Sequence, residues 1–446
     1  MKPALDFSCS HHQSPPQTPE ANRQRRSKFW RFGGALLLLA LVAGLGTSCA
    51  LHRLKHEVKQ LDARGVLAVR VTPVSAAAPT YALAWPATKS VTNLMLGFQP
   101  VGTDGVAIFM LRQNQNYSIG AFTDLNTNGT YDGGEPVASL NNLRPTPLSD
   151  PAARRTPLTL QLSATNGLPR GHSLTLPRED KELGEALSIT TGVIANLDDP
   201  NFSSATGELG MWRPFEFLQQ HKVGIYFLEP YDAKKVPVLF VYGISGSFQD
   251  WRTIVEKLDR KKYQPWLYQY PSGLRLDKAA NTLAGLMILL RQQYQFERLP
   301  VVAHSMGGLV SRGAIQRAVS QAGTNFIPTF VTISTPWGGH QAAASGVKHL
   351  DFPVPAWHDM SPGSAYLKTI LEQPLPPGTR HDLIFGFKTS GGLGMPDDND
   401  GVVGVGSELV PEVQSAAASV FGLNLDHGEI LRSPIVLEKL HQALAR

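Results

Sequence analysis

The sequence predicts an α/β protein, in which a doubly wound and mainly parallel β-sheet is preceded by a small all-β sandwich. From about residue 184 onward, short apolar runs alternate with helix-like amphipathic segments, as in parallel sheets whose strands are joined by helices. Between Gly65 and Ser163, short alternating runs are separated by Gly, Asn, Pro and Thr clusters, which is typical of antiparallel sandwiches. We therefore divide the 446 residues into a leader and linker at 1–64, a sandwich at 65–165 and an α/β domain at 174–446.

The leader has the pattern of an export signal. Four arginines and a lysine between Arg23 and Arg31 precede the apolar run Gly33–Leu45. Cys49 follows two small residues, as in a bacterial lipobox, and we favour its lipidation as the mature N-terminus. The alternative is an uncleaved single-span anchor, because Gly46 replaces the usual leucine-like residue and Gly33–Leu51 is long enough to cross a bilayer. Both interpretations predict a membrane-anchored, extracytoplasmic protein, in the bacterial periplasm or on the outer surface.

The charge of the chain is concentrated in this leader. Residues 1–60 contain nine Lys or Arg and three Asp or Glu, whereas the remaining residues contain 32 basic and 33 acidic side chains. The net charge of +5 therefore gives no support to nucleic-acid binding. The second cysteine, Cys9, also lies in the leader, so we expect no disulfide in the folded domains.

The sandwich contains a candidate calcium loop. Residues 124–135 match the D-x-[DN]-x-[DN]-G-x5-E spacing at every specified position, with Gly129 at the tight bend. The flanks of this loop read as strands, with Tyr117–Phe122 before it, so the alternative is an ion-free hairpin built from Asx-turns. Leu158–Leu162 is the last strand-like run of this domain. Any calcium here would be structural. The candidate ligands are Asp124, Asn126, Asn128, Thr130, Asp132 and Glu135.

The α/β domain shows a succession of apolar runs with helix-like segments between them. The helix-like segments include Lys278–Gln295 and Pro434–Leu444. We predict strands at Ala186–Ile194, Gly224–Leu228, Val236–Val241, Trp266–Tyr270, Pro300–His304, Pro328–Ile333 and Asp382–Phe387, after Val66–Val71 and Val106–Leu111 in the sandwich.

A serine lies at one joint between strand and helix. In LPVVAHSMGGLVSR, Ser305 follows the predicted strand, and small residues occupy the places two before and two after it, Ala303 and Gly307. This is the G-x-S-x-G turn with alanine as its first residue, and such a turn exposes the serine Oγ. The N–H of Met306, at the start of the helix, is then placed to stabilise an oxyanion.

A second oxyanion donor is expected from the loop after Val236–Val241. This run leads into the glycine-containing segment Tyr242–Ser247 and then into an amphipathic stretch. A buried parallel strand that feeds such a loop can supply a backbone N–H above the serine, and we assign it to Ile244. The alternative is an ordinary loop between strand and helix, since glycines alone are weak evidence.

An activated serine needs a base, and the base needs a carboxylate that orients it. With this type of turn, the acid and then the histidine follow the serine along the chain. The loop PDDNDGVVGV provides Asp400 as the acid, with Asp397 and Asp398 as competitors. His427, in a loop before the last helix, is the predicted base.

The ordered blocks of the domain resemble those of bacterial serine lipases and esterases of the α/β-hydrolase superfamily, over roughly Leu174–Arg446. The blocks are VLFVYGISGSFQDW, YPSG, VVAHSMGGLVSR, TISTPWGGH, DMSPGSAYL, DNDGVVGV and LDHGEIL. The resemblance implies a triad of Ser305, Asp400 and His427, with oxyanion donors at Met306 and Ile244. These enzymes usually carry histidine where this chain has Tyr242. This difference leaves the backbone donor intact, but it leaves open how side chains anchor the loop and what shape the acyl pocket has.

These features predict a membrane-tethered carboxylesterase or lipase that cleaves acyl esters through an acyl-enzyme. It would need no cofactor for catalysis, and its partners would be an acyl ester or lipid substrate and the membrane. Two alternatives are an acyltransferase or thioesterase with the same triad, and a degenerate hydrolase domain that serves as a surface binding protein. The segment His340–Leu371 is a candidate lid or acyl-pocket wall, or else part of the scaffold core.

Overall fold

The computed structural model describes residues 47–75, 77–88, 97–102, 105–147, 157–166, 174–175, 187–387 and 398–446. Residues 50–446 form one compact unit. The strands are β1 (Arg64–Thr72), β2 (Thr80–Pro86), β3 (Gly97–Pro100), β4 (Val106–Arg112), β5 (Tyr117–Thr123), β6 (Thr130–Tyr131), β7 (Val137–Leu143), β8 (Thr146–Pro147), β9 (Leu158–Gln161), β10 (Leu174–Thr175), β11 (Leu187–Ile194), β12 (Val223–Phe227), β13 (Val236–Val241), β14 (Tyr263–Gln269), β15 (Val301–His304), β16 (Thr329–Ile333), β17 (Arg380–Gly386) and β18 (Ser419–Leu423).

Helices precede, connect and follow these strands, and short 3₁₀ turns lie at Pro200–Phe202, Phe248–Trp251 and Glu429–Arg432. The helices are α1 (Thr47–Asp62), α2 (Ser204–Trp212), α3 (Pro214–Gln220), α4 (Arg252–Lys257), α5 (Leu276–Tyr294), α6 (Met306–Ala322), α7 (Gln341–His349), α8 (Pro355–Met360), α9 (Ala365–Glu372), α10 (Val405–Glu408), α11 (Pro411–Ala416) and α12 (Pro434–Leu444).

The central sheet confirms the predicted mixed α/β class with a mainly parallel core. Its order is β18-β17-β16-β15-β13-β14-β12-β11-β4-β1-β8, and β9 also pairs with β1. From β18 to β14 every neighbouring pair is parallel, whereas β12 runs antiparallel to β14. A parallel strand that is buried on both faces is a continuous apolar run, as in β13, where all residues after Val236 are buried.

The sandwich predicted at 65–165 has two layers. One layer is the four-stranded sheet β3-β2-β5-β7, and the other is formed by β1, β4 and β9. Side chains from both layers share one apolar core, which includes Val69 of β1, Ala84 of β2, Phe109 of β4 and Ile119 of β5. The sequence prediction of alternating strands here is confirmed at β1, β4, β5 and β9.

The sandwich shares its second layer with the central sheet. β4 pairs antiparallel with β11, and Met110, Phe109 and Ile108 lie opposite Leu187, Ser188 and Ile189. Successive residues of a strand point to opposite faces. Accordingly Ile108 and Met110 enter the main core, whereas Ala107, Phe109 and Leu111 enter the sandwich core.

Helix α1 packs directly on the larger domain. Leu54 and Leu61 are buried in the main core. The buried carboxylate of Glu57 accepts a hydrogen bond of 3.0 Å from the N–H of Phe215, at the start of α3. An acceptor at this place satisfies a backbone donor that the helix itself cannot pair. The sequence analysis assigned this segment to a linker and did not predict the helix.

Candidate active site

Ser305 lies between the end of β15 and the start of α6, as predicted. Its φ of 54° and ψ of −134° place a non-glycine residue in a disfavoured backbone region. The N–H of Ser305 donates to the carbonyl oxygen of Ile333 at 2.9 Å, and its own carbonyl accepts from the N–H of Gly308 at 2.9 Å. These bonds hold the strained turn in place.

The small residue two places after the serine is required by close packing. A Cβ added at Gly307 would lie 2.4 Å from the carbonyl oxygen of Val241 and 2.5 Å from that of Tyr242. These distances are too short for any real side chain, so the turn and the end of β13 approach each other through a glycine. The sequence rule behind the Ser305 assignment therefore has a direct steric cause here.

The predicted oxyanion loop lies against the serine. A Cβ built at Gly243 would be 2.7 Å from the Cβ of Ser305 and 3.2 Å from its Oγ. Ile244 is the next residue of this loop, and Met306 follows Ser305 as the first residue of α6. The first N–H groups of a helix have no acceptor within it. The structure thus places the loop that contains Ile244 and the start of α6, which is Met306, next to Ser305.

Asp400 and His427 form a hydrogen-bonded pair. The Nδ1 of His427 lies 2.5 Å from one carboxylate oxygen of Asp400, and the other oxygen accepts from the N–H groups of Val402 and Val403 at 2.9 and 2.7 Å. The N–H of His427 also donates to the carbonyl of Asp400 at 2.9 Å. Of the competing aspartates, Asp398 is exposed and Asp397 lies outside the described residues.

The surroundings keep the Asp400 carboxylate ionised. Its side chain is fully buried, which by itself raises the pKa. The charge and hydrogen bond of His427, followed by the N–H donors of Val403 and Val402, outweigh this effect and hold the pKa of Asp400 below its ordinary value. A permanently charged acid fixes the proton of His427 on Nδ1 and leaves Nε2 available as a base.

His304 connects the serine turn to the base. Its Nε2 lies 2.9 Å from the carbonyl oxygen of His427, and the two rings are 4.6 Å apart. Burial, together with the nearby charge of His427, lowers the pKa of His304 to about 3. A neutral His304 can donate through Nε2 to that carbonyl. Because His304 directly precedes Ser305, this bond holds the backbone of His427 close to the serine turn.

The acid loop is fastened to the loop that follows β16. His340 contacts the carbonyl of Val402 through Nε2 at 2.8 Å, and the hydroxyl of Ser407 donates to the carbonyl of Gly339 at 2.6 Å. Glu408, at the end of α10, is completely buried. Burial and the charge of Asp400 raise the pKa of Glu408 to about 10, so this second carboxyl group is neutral at physiological pH.

Sequence reasoning did not identify His304, His340 and Glu408. His304 stands inside the AHSMGG block, and His340 closes the TISTPWGGH block, so their places next to motif residues were a usable signal. Glu408 carries no such signal, because its importance comes from burial beside Asp400.

The candidate lid segment contributes mainly to the core. Val354, Trp357 and Met360 are buried in the main core, and Phe352 packs against it. Asp359, on α8, is buried and accepts two hydrogen bonds from the guanidinium of Arg275, at 3.0 and 2.6 Å. These contacts favour the scaffold interpretation for α8.

The candidate calcium loop is held by its own hydrogen bonds. The two carboxylate oxygens of Asp124 accept from the N–H groups of Asn128 and Gly129 at 3.1 and 2.8 Å. Those of Glu135 accept from Leu125 and Asp132 at 2.7 and 2.9 Å. Among the described residues, no three His, Cys, Asp or Glu side chains are arranged to hold a metal ion.

The remaining candidate ligands are also hydrogen-bonded to other residues of the loop. One oxygen of Asp132 accepts from the side-chain amides of Asn126 and Asn128, at 2.7 and 2.8 Å, and the N–H of Thr130 donates to Asn128 at 2.7 Å. All six candidate ligands therefore take part in hydrogen bonds within the loop, and calcium binding stays a prediction.

The predicted export signal, Gly33–Leu45, lies outside the described residues, and of Cys49 only the backbone, in α1, is described. Within the described part of the chain, no helix is both long and apolar enough to cross a membrane. Lipidation and membrane anchoring therefore stay predictions.

Residues 232–369 match the protein family described as "Putative serine esterase (DUF676)". This segment carries Ser305, Met306 and Ile244, and it ends before Asp400 and His427. The match agrees with the serine esterase character that the sequence blocks predict for this part of the chain.

The chain is also similar to the GPI inositol-deacylase of Candida albicans, with 25% identity over 217 residues. The alignment covers 42% of this chain and 52% of that protein, so the chain spans about half the length of this curated relative. The relative is fungal, and the bacterial origin expected from the sequence stays a prediction.

Two solved structures show the extent of structural similarity. Bacillus licheniformis lipase BlEst2 in mature form is 19% identical with a TM-score of 0.39, covering 49% of this chain and 97% of that chain. Aspergillus fumigatus lipase B is 13% identical with a TM-score of 0.36, covering 50% of this chain and 56% of that chain.

Proposed function

We propose that the protein is a serine hydrolase of the carboxylesterase or lipase type that cleaves acyl esters through an acyl-enzyme. The observation that carries this proposal is the pair of buried Asp400 and partly buried His427, hydrogen-bonded at 2.5 Å and held beside the strained turn of Ser305. The family match over residues 232–369 supports the same class of reaction.

In the first half of the reaction, Nε2 of His427 takes the proton of the Ser305 hydroxyl as Oγ attacks the ester carbonyl carbon. The carbonyl π bond opens, and the N–H groups of Met306 and Ile244 stabilise the resulting oxyanion. When the oxyanion collapses, the bond to the alcohol oxygen breaks, and His427 gives its proton to that oxygen. An acyl ester of Ser305 remains.

In the second half, a water molecule attacks the acyl-enzyme while His427 takes one of its protons. Collapse of the second oxyanion breaks the bond between the acyl carbon and Oγ of Ser305, and His427 returns the proton to Oγ. Asp400 stays ionised throughout and stabilises the imidazolium of His427. The products are a carboxylic acid and an alcohol.

The decisive experiment compares Ser305→Ala with the wild type and with Ser311→Ala. Ser311 is a buried serine on the same helix, α6, so its replacement controls for the loss of a buried hydroxyl. We expect Ser305→Ala to abolish both fluorophosphonate labelling and p-nitrophenyl ester turnover, while Ser311→Ala retains both. Persistence of labelling and turnover in Ser305→Ala would place the nucleophile elsewhere.

The substrate is proposed to be an acyl ester of a lipid or a related alcohol. The name of the Candida albicans relative, GPI inositol-deacylase, describes the removal of an acyl group, which agrees with this bond type. A panel of esters with short to long acyl chains, with and without an emulsion interface, would define the preference. Product analysis with competing alcohols or thioesters separates hydrolysis from acyl transfer.

We further propose that the enzyme is tethered to a membrane outside the cytoplasm through its leader. The support is the basic cluster before Gly33–Leu45 and the small residues before Cys49. Labelled palmitate incorporated into the wild type but not into Cys49→Ser would establish lipidation. Membrane association without label, with the apolar run still present, would establish the uncleaved anchor.

A structural calcium ion in the loop 124–135 is the remaining proposal. The side chains of Asp124, Asn126, Asn128, Asp132 and Glu135 and the carbonyl of Thr130 would hold it. The test is calorimetric titration of the full chain, because β4 is part of the central sheet. Heat on adding calcium that is lost in Asp132→Ala supports the ion, and no heat supports the ion-free hairpin.

A further inference from the structure

The chain segment that follows β14, Tyr270–Gly273, contacts the oxyanion loop on both sides of Ile244. The hydroxyl of Tyr270 donates to the carbonyl oxygen of Tyr242 at 2.7 Å. The hydroxyl oxygen of Ser272 accepts from the N–H of Ser245 at 3.0 Å. The first bond fixes the peptide before the one that carries the Ile244 N–H, and the second fixes the peptide after it.

Tyr242, in the oxyanion loop, also hydrogen-bonds to the Tyr270–Gly273 segment through its own hydroxyl. Its hydroxyl donates to the carbonyl of Tyr270 at 2.7 Å and accepts from the N–H of Tyr270 at 2.8 Å. The two rings are stacked at 4.9 Å with an angle of 12° between their planes, and both side chains are buried. The phenol of Tyr242 thereby anchors the start of the oxyanion loop to the Tyr270–Gly273 segment.

The Tyr270–Gly273 segment is itself firmly held. The N–H of Gly273 donates to the carbonyl of Gly210 at 3.1 Å, and its carbonyl accepts from the N–H of Ala356 at 3.1 Å. A Cβ added at Gly273 would lie 2.0 Å from the carbonyl oxygen of Met211. Ser272 is 1% exposed, so water does not compete for its hydroxyl. The segment is thus a fixed support, tied to α2 and α8.

We propose that Tyr270 and Ser272 are positioning residues that clamp the oxyanion loop, so that the Ile244 N–H stays directed at the oxyanion formed on attack by Ser305. This clamp rests on the proposed function and assigns a role to the YPSG block, which the triad does not use. A donor that is fixed in advance stabilises the transition state without reorganisation. Ser245 shows that the loop needs such support, since its φ of 55° is disfavoured for a serine.

The test uses Tyr270→Phe and Ser272→Ala, each of which removes one hydroxyl and no ring or backbone. Tyr268→Phe is the matched control, because Tyr268 stacks on Tyr270 at 4.8 Å but donates its hydroxyl to the carbonyl of Ala279, on α5. For each variant we measure kcat and KM for p-nitrophenyl esters, the pH profile, and hydrogen exchange of the peptide spanning Tyr242–Phe248.

We expect kcat to fall by about tenfold to a hundredfold in both clamp variants, with KM changed by less than about twofold. The pH profile should keep its shape, because the pair Asp400 and His427 is untouched. Exchange of the loop peptide should become faster. Tyr268→Phe should keep the wild-type kcat and the wild-type exchange of this peptide, even if its melting temperature falls.

Unchanged kcat and exchange in both clamp variants, in a chain that is labelled at Ser305, would overturn the clamp and leave the proposed function intact. A fall in kcat that Tyr268→Phe shares, or a change confined to KM, would also overturn it. A wild-type chain that is not labelled at Ser305 would instead overturn the proposed function, and the catalytic role of the clamp with it.

Discussion

At the scale of single residues, the acid loop keeps two carboxyl groups in one buried space. Asp400 is ionised, because His427 and two N–H groups stabilise its charge. For Glu408, burial and the charge of Asp400 dominate, and its pKa of about 10 means that it stays protonated. Two buried carboxylates so close to each other cannot both be charged without a large cost. Of these two carboxyl groups, Asp400 is therefore charged and Glu408 is neutral.

Glu408→Gln should stabilise the protein at neutral and alkaline pH. In the unfolded chain this carboxyl ionises near 4.5, whereas in the folded chain it stays protonated up to about 10. Folding of the wild type thus takes up a proton, so its stability falls as pH rises between these two values. At pH 7 the cost is up to about 3 kcal/mol, which a neutral glutamine does not incur.

Thermal or urea unfolding at pH 5, 7 and 9 measures this effect. We expect the advantage of Glu408→Gln over the wild type to grow across the series, and Glu412→Gln, at an exposed glutamate of α11, to show no such trend. An advantage that does not change with pH would show that Glu408 is ionised in the folded protein.

Asp400→Asn should lower kcat by about a thousandfold or more while leaving the fold intact. The amide cannot stabilise the imidazolium of His427 and can present its N–H to Nδ1, which favours the wrong tautomer. Asp398→Asn and Asp397→Asn should retain near-wild-type kcat, since Asp398 is exposed. The reverse ranking in ester hydrolysis would reassign the acid.

From the sequence alone, candidate residues could be proposed by their order along the chain. Ser305, Asp400 and His427 follow one another in the order that accompanies this type of serine turn, and the structure places Asp400 and His427 together. Glu408 and Ser272 could not be found in this way. Their roles depend on which groups surround them after folding, and no spacing along the chain encodes that information.

At the scale of structural elements, the turn at Ser305 depends on contact between the ends of β13 and β15 and the start of α6. Gly307→Ala should disrupt this contact, because the added methyl group would lie within 2.5 Å of two carbonyl oxygens. Overpacking of this kind typically costs about 1–3 kcal/mol, and here we also expect it to displace the proposed oxyanion donors. We expect lower stability and a loss of ester turnover.

Gly406→Ala serves as the control, since a Cβ at Gly406 meets nothing within 4 Å. Its melting temperature and kcat should match those of the wild type. If Gly307→Ala also matched the wild type in both measurements, the close approach of β13 to α6 would be absent in solution.

Elements with a continuous apolar pattern were predicted with accurate limits. β13 and α12 have the predicted limits, Val236–Val241 and Pro434–Leu444. β14 begins three residues before its predicted start, because buried Gln264 satisfies its amide with the carbonyls of Asp232 and Lys235. β18 (Ser419–Leu423) was not predicted; it is the end strand of the sheet, and its residues are exposed or only partly buried.

At the scale of the whole molecule, the sandwich and the α/β domain share one continuous sheet. From the sequence, a change in pattern at about residue 165 was used to separate them, and between residues 64 and 161 the described elements are all strands, whereas helices alternate with strands after β11. The pairing of β4 with β11 is a long-range contact between strands far apart in the chain. Alternation of apolar residues does not specify a partner strand, so the sequence could not predict it.

Calorimetry of the full chain should show one cooperative unfolding transition. Removing the sandwich would take Ile108 and Met110 out of the main core and expose the edge of β11, so neither part is expected to melt independently. Two separate transitions, with the heat of each proportional to its domain, would show that the shared sheet adds no coupling. A chain truncated to 174–446 should accordingly aggregate or remain unfolded.

The double role of β4 also limits how the molecule can move. Side chains at neighbouring positions, such as Ile108 and Phe109, enter different cores, and the backbone between them is hydrogen-bonded on both edges. No flexible hinge separates the two parts at this strand, so they cannot swing as rigid lobes. We therefore expect displacement of the sandwich to be transmitted as a change in sheet twist toward β13 and β15, whose ends lie at Ser305.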